Sequence, residues 1–114
     1  MRTALFVLAA LAAAPASAQG PVGTAERGAY TCELPGDAAS AAGIRQPDED
    51  FRSASASRYQ SAQGNGTYLR RGDTIRFTSG PRRGEAYRVV SENFLRRLDE
   101  NGKPGRLRCV RTGS

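Results

Sequence analysis

Two cysteines set the tightest limit on what this chain can fold into. Cys32 and Cys109 stand near opposite ends of the polypeptide that remains once a leader is removed. That leader is legible: Arg2 precedes an apolar run over residues 4–14, and Ala16-Ser17-Ala18 supplies the small residues a signal peptidase reads, which places cleavage before Gln19. An exported chain meets an oxidising compartment, so the two thiols are expected to be joined. By loop-closure entropy a bond spanning this much chain stabilises by roughly 4 to 5 kcal/mol. It also dictates topology, because Tyr30-Thr31-Cys32-Glu33-Leu34 and Leu107-Arg108-Cys109-Val110 must then lie side by side or on facing sheets.

The leader's apolar run is shorter than the roughly 20 residues needed to span a bilayer, and no cysteine follows it to accept a lipid. No membrane span is expected. The predicted organisation is a signal peptide over 1–18, a flexible lead-in over 19–28 and a single β domain over 29–114. A mature chain this short supports one core, and small cores commonly need a staple. Ile44 and Leu69 belong to the expected apolar set with Tyr30, Leu34, Phe51, Tyr68, Ile75, Phe77, Tyr87, Val89, Phe94, Leu95, Leu98, Leu107 and Val110.

The stretch 65–90 spells three short strands with turn residues between them. Thr74-Ile75-Arg76-Phe77-Thr78 alternates polar and apolar, which puts Ile75 and Phe77 on one face and Arg76 on the other. Ala86-Tyr87-Arg88-Val89-Val90 alternates in the same way, with Tyr87 and Val89 inward. Arg71-Gly72-Asp73 and residues 79–84 interrupt the runs as turn and loop. Asn65-Gly66 is the preferred two-residue hairpin dipeptide and is expected to turn the chain into this meander. Residues 35–50 read as a long loop with one helical turn, and residues 51–56 as a strand leading to Arg58 and Tyr59. Residues 94–98 fit either a helical turn or a strand. Residues 99–105 read as a turn before the last strand. The fold class is all-β: a small antiparallel barrel or sandwich of six to eight short strands.

Removing Arg2 with the leader leaves sixteen of the seventeen basic residues against eleven acids, net +5. The sign is uneven. Residues 19–69 hold four basic residues against six acids, and residues 70–114 hold twelve against five. Arg76, Arg88, Arg106 and Arg108 fall on outward strand positions, where they would attract phosphate or uronate. The competing explanation for so much arginine is genome base composition, since sixteen Arg accompany a single Lys.

Catalytic chemistry has little to stand on. With no His and no free thiol expected, the usual proton shuttle, the thiolate nucleophile and imidazole or thiolate metal sites are all missing. No catalytic residue, cofactor or metal is expected. Asp48-Glu49-Asp50 lacks the ligand spacing of a Ca²⁺ loop and reads as an acidic loop answering the basic half. Arg71-Gly72-Asp73 and Asn65-Gly66-Thr67 match an adhesion tripeptide and a glycosylation acceptor, but both read as turn chemistry. Ser79-Gly80-Pro81, with Arg82 and Arg83, is the one loop with the makings of an anion nest.

Tyr30-Thr31-Cys32, Gly66-Thr67-Tyr68, Thr78-Ser79-Gly80-Pro81 and Cys109 together resemble a loose group of small exported bacterial β proteins of unknown function. Ser53-Ala54-Ser55-Ala56-Ser57-Arg58-Tyr59, followed by Arg71-Gly72-Asp73, resembles the Ser-Ala-Ser-Gly-x-x-Tyr segment and later Lys-Gly-Asp of the periplasmic inhibitors of C-type lysozyme, which are small β-barrels. Ala56 stands where that family has Gly. The resemblance implies Ser55, Tyr59 and Arg71 as contact residues. Gly102-Lys103-Pro104-Gly105 is similar, in altered order, to the Pro-Gly-Lys-Gly tip of the first domain of elongation factor P, which would imply RNA binding; export argues against nucleic acid as the partner.

The expectation is therefore a protein of the periplasm or beyond that binds rather than catalyses. Its Arg-rich face, with Arg76, Arg82, Arg83, Arg88, Arg106 and Arg108 as candidate residues, would meet an anionic envelope partner. The alternatives are a lysozyme-inhibitor-like protein, a basic RNA-binding barrel and a purely structural envelope protein.

Overall fold

The computed structural model describes residues 22–36 and 43–113, so the expected signal peptide lies outside the described residues. The strands are β1 Val22–Gly23, β2 Gly28–Leu34, β3 Ile44–Arg45, β4 Phe51–Ser53, β5 Arg58–Ser61, β6 Gly64–Arg71, β7 Thr74–Phe77, β8 Ala86–Ser91, β9 Phe94–Leu98 and β10 Pro104–Gly113. A 3-10 turn, Pro47–Glu49, lies in the loop before β4.

Every strand pairing is antiparallel. The order β6-β5-β4-β2-β10-β9-β8-β7 returns from β7 to β6, which closes an eight-stranded barrel. The two-residue strands lie outside that cycle: β1 adds to the end of β6, and β3 to the end of β2. Closure removes the open sheet edges that invite aggregation. It brings the first and last long strands together as expected, with Cys109 directly opposite Cys32 in the β10·β2 register and the two joined as a disulfide.

A barrel of eight strands has an interior that side chains alone can fill. Here aromatic rings fill it. Tyr30 stacks on Phe51 at 5.1 Å, Phe51 meets Phe77 edge-on at 5.3 Å, and Phe77 stacks on Tyr59 at 4.1 Å. Each such pair adds about 0.5–1.5 kcal/mol beyond its buried area. A buried phenol also needs a partner, and the tyrosines find theirs at the barrel's two ends. At the lower end the Tyr30 hydroxyl donates to the Glu26 carbonyl, and the Tyr68 hydroxyl accepts from the Ala25 amide. At the upper end the Tyr59 hydroxyl donates to the Ser79 carbonyl and accepts from the Arg82 amide.

Several local expectations change. Asn65-Gly66 lies inside β6, and the hairpin turns at Ala62-Gln63, because Ser61 pairs with Gly64. Gly66 serves close approach instead: a Cβ there would fall 2.2 Å from the Ser79 carbonyl oxygen and 2.6 Å from the Tyr59 ring. The lead-in is tied down from Val22 onward by β1 and by buried Ala25. Ile44 is 56% and Leu69 41% exposed, and Phe94 and Val110 stay half-buried outside the core cluster, so none of the four joins the core. β3 is appended outside the barrel, and β6 turns Tyr68 inward, which by alternation leaves Leu69 outside. Residues 94–98 are a strand, β9.

The β4–β5 connection carries backbone strain. Ala56 and Ser57 have φ of 58° and 62°, the left-handed region that disfavours L-residues with a Cβ. Ala56→Gly is therefore expected to stabilise the protein by about 1 kcal/mol, while Gly66→Ala destabilises it by about 1–3 kcal/mol through overpacking. Urea denaturation of the mature chain checks both signs.

Candidate functional site

Strand register, carried from one pairing to the next, decides which arginines become neighbours. Starting on β6, Arg71 is opposite Thr74, Thr74 opposite Arg88, Arg88 opposite Arg96, and Arg96 opposite Arg108. Arg108 is in turn opposite Glu33. These residues alternate with the buried Ile75, Tyr87, Leu95 and Cys109, so the row faces outward. Adjacent strands lie about 4.8 Å apart, which sets the lateral step of the row.

Like charges directly opposite one another are destabilising, and the row holds Arg88, Arg96 and Arg108 on consecutive strands. Glu33 answers one of them, with Oε2 2.8 Å from Arg108 Nε. Arg96 Nε donates to the Gly105 carbonyl, a neutral partner. Arg88 Nε is buried and has no hydrogen-bond partner. Among the described residues, no ion pair is formed by Arg71, Arg88 or Arg96. The row thus presents uncompensated guanidinium charge, the chemistry that forks onto carboxylate, phosphate or sulfate.

The expected anion-binding residues separate into groups. Arg88 and Arg108 share the row. Arg76 lies on the same outer face one diagonal step away, since it pairs with Ala86 on β8. Arg106 is exposed but sits in the stretch of β10 where the register with β9 shifts, so it falls out of line. Arg96 and Arg71 complete the row. Arg96 had no face to be assigned while residues 94–98 were readable as helix or strand.

Arg82 is a correction. It is 5% exposed and serves the interior rather than a loop nest. Its guanidinium donates to the Glu49 and Asp50 carbonyls at 2.9 and 3.0 Å, to the Tyr87 hydroxyl at 3.0 Å and to Glu85 Oε1. It also packs over the Phe51 and Phe77 rings. Arg97 reaches the same centre, bonding Glu49, Glu85 and the Tyr87 hydroxyl. Burial pulls the Arg82 pKa down, but the hydrogen bond it donates to Glu85 and the charges of Tyr87, Glu85 and Glu49 more than offset it, so the group stays charged. Burial pushes the Tyr87 hydroxyl up to about 12 against the opposing pull of Arg97 and Arg82. Part of the acidic triplet therefore answers basic residues from inside the barrel's upper end.

Beside this stopper lies an open cleft of about 820 Å³ between the 79–86 loop and the β9–β10 turn. Arg76, Arg83 and Arg97 face Glu85, Asp99 and Glu100 across it. The signs balance, so the cleft selects no anion.

The residues implied by the inhibitor resemblance also divide. Ser55 and Arg71 are exposed. Tyr59 is 0% exposed and belongs to the core rather than to the outer surface. Among the described residues no helix is long and apolar enough to cross a membrane. Compared with protein-family models, curated proteins and solved structures, the chain matches none.

Two outcomes follow from the buried network. Arg82→Met leaves carboxylates and two carbonyls short of donors and should cost about 3–5 kcal/mol, whereas Arg83→Met, at an exposed neighbour, should stay within about 0.5 kcal/mol; chemical denaturation separates them. For Tyr87, the folded pKa of about 12 lies above the ordinary 10.0. The unfolded chain loses this proton first as pH rises, so stability is intact below pH 10.0 and declines through about 12 by about 1.4 kcal/mol per pH unit for this group. Unfolding free energies across that window, compared with Tyr87→Phe, check it.

Proposed function

We propose that this is an exported binding protein whose arginine row engages an anionic partner of the cell envelope, in a role that is recognition rather than catalysis. The observation that carries the reading is the register: Arg71, Arg88, Arg96 and Arg108, one each from β6, β8, β9 and β10, align on one outer row. Base composition accounts for many arginines but not for their alignment in like-charged opposed pairs, which cost stability unless an anion neutralises them. The packed interior leaves the outer surface as the place for a partner. Export is supported by the leader's pattern and by the disulfide.

The test is retention of the mature protein on heparin as salt is varied. The wild type is expected to bind with a steep salt dependence, and Arg88→Gln with Arg96→Gln to reduce the log–log slope by roughly 0.7 to 0.9 per charge removed. Arg58→Gln with Arg83→Gln removes the same charge from exposed positions off the row and should change retention little. Equal losses from both pairs would show net charge alone at work, and elution of the wild type at low ionic strength would remove the reading.

A second reading is favoured by the strained 54–57 loop. Left-handed non-glycine residues persist where surrounding structure holds them and cluster at binding sites. Here Ala56 and Ser57 adopt them next to exposed Ser55. On that reading the lower end of the barrel blocks a C-type lysozyme. Micromolar mature protein should then inhibit the enzyme and Ser55→Trp should abolish inhibition; unchanged lysozyme activity rejects it.

A further inference from the structure

The arginine row has an apolar neighbour. Two positions further toward the lower end, on the same outer face, Phe94 of β9 is directly opposite Val110 of β10. The irregularity between Val89 and Ser91 places Val90 of β8 beside them. Val90 is 60% exposed, and Phe94 and Val110 are half-buried. Alternation with inward Val89, Leu95 and Cys109 fixes all three outside the barrel. A two-residue step along a strand is about 6.7 Å. The outer face of β8, β9 and β10 therefore carries two parallel lines, one cationic and one apolar, a short side-chain length apart.

A hydrophilic polyanion uses only the first line. An amphiphile with an anionic headgroup uses both, because its charge meets the guanidiniums while its acyl region covers Val90, Phe94 and Val110. Attraction of basic residues to anionic lipid and burial of apolar side chains at the headgroup boundary are additive contributions to surface binding. We infer that the β8–β9–β10 face docks peripherally on an anionic lipid surface, with Arg88 and Arg96 at the headgroups and Val90, Phe94 and Val110 at the acyl boundary. This rests on the anion-binding reading of the row and names the class of its partner. Glu33 marks where the face ends, since the cationic row changes sign at β2. The complementarity also fits the rest of the barrel, whose disulfide and ring-packed interior hold this face rigid without a ligand inside.

The experiment is flotation of the mature protein with vesicles of phosphatidylcholine alone and of phosphatidylcholine with phosphatidylglycerol, run beside heparin elution. The wild type should float with the anionic vesicles and not with the neutral ones. Val90→Ser, an exposed position that leaves the fold intact, should weaken flotation severalfold while heparin elution stays the same; Phe94→Ser, checked for folding by its denaturation midpoint, should weaken it further. Arg88→Gln with Arg96→Gln should lower both readouts, by about fivefold per arginine on the vesicles. Flotation unaffected by Val90→Ser and by folded Phe94→Ser overturns the lipid inference, as does a wild type that binds heparin but not anionic vesicles. Equal flotation with neutral vesicles overturns it as well. Loss of heparin binding by the wild type is the separate failure of the anion-binding reading.

Discussion

The register between β2 and β10 is the constraint on which the rest of this structure depends. The disulfide joins residues that are already directly opposite in the ladder, so a slip of one residue would tear the sulfurs apart and turn every inward side chain outward. Fixing that register fixes one of the two seams, β2·β10 and β6·β7, at which the N-terminal and C-terminal halves of the sheet meet. It also places Arg108 opposite Glu33, where the arginine row changes sign. The same covalent link thus ties the core to the edge of the charge pattern outside it.

Inside, the protein solves a problem of small barrels by using polar ends on an aromatic interior. Phenols deliver apolar rings to the middle and hydroxyls to the rims, where backbone groups and charged side chains receive them. The upper rim is the more demanding one, since Arg82 brings a full charge to a 5% exposed position. Such a charge is tolerable only when its donors are used, and Glu85, Tyr87 and two carbonyls use them. Arg82 and Arg83 stand side by side in the chain yet differ completely: one holds the rim together, and the other faces the open cleft.

This division explains why the function reading rests on the row and not on the loop. Guanidiniums already satisfied by carboxylates have little left for a partner, whereas Arg71, Arg88 and Arg96 form no ion pair among the described residues. The direct opposition of Arg88 and Arg96 raises the free energy of the unliganded face. An anion that relieves it gains from a surface built in advance, without reordering the barrel.

The cysteines, the period-two runs at 74–78 and 86–90 and the turn residues at 71–73 were enough to specify an all-β domain closed by its outermost strands, because each acts locally or through a covalent bond. Asn65-Gly66 was misread since a turn dipeptide and a glycine under an aromatic ring look alike until the ring's owner, Tyr59, is placed. The burial of Arg82 had no local signature, as its partners Glu49 and Asp50 come from the far side of the barrel. The arginine row was half visible: Arg88 and Arg108 showed as outward residues, but their alignment through Arg96 and with Arg71 depends on pairings between strands. Residue type and alternation settled which side chains point out, and closure of the sheet alone decided which of them stand together.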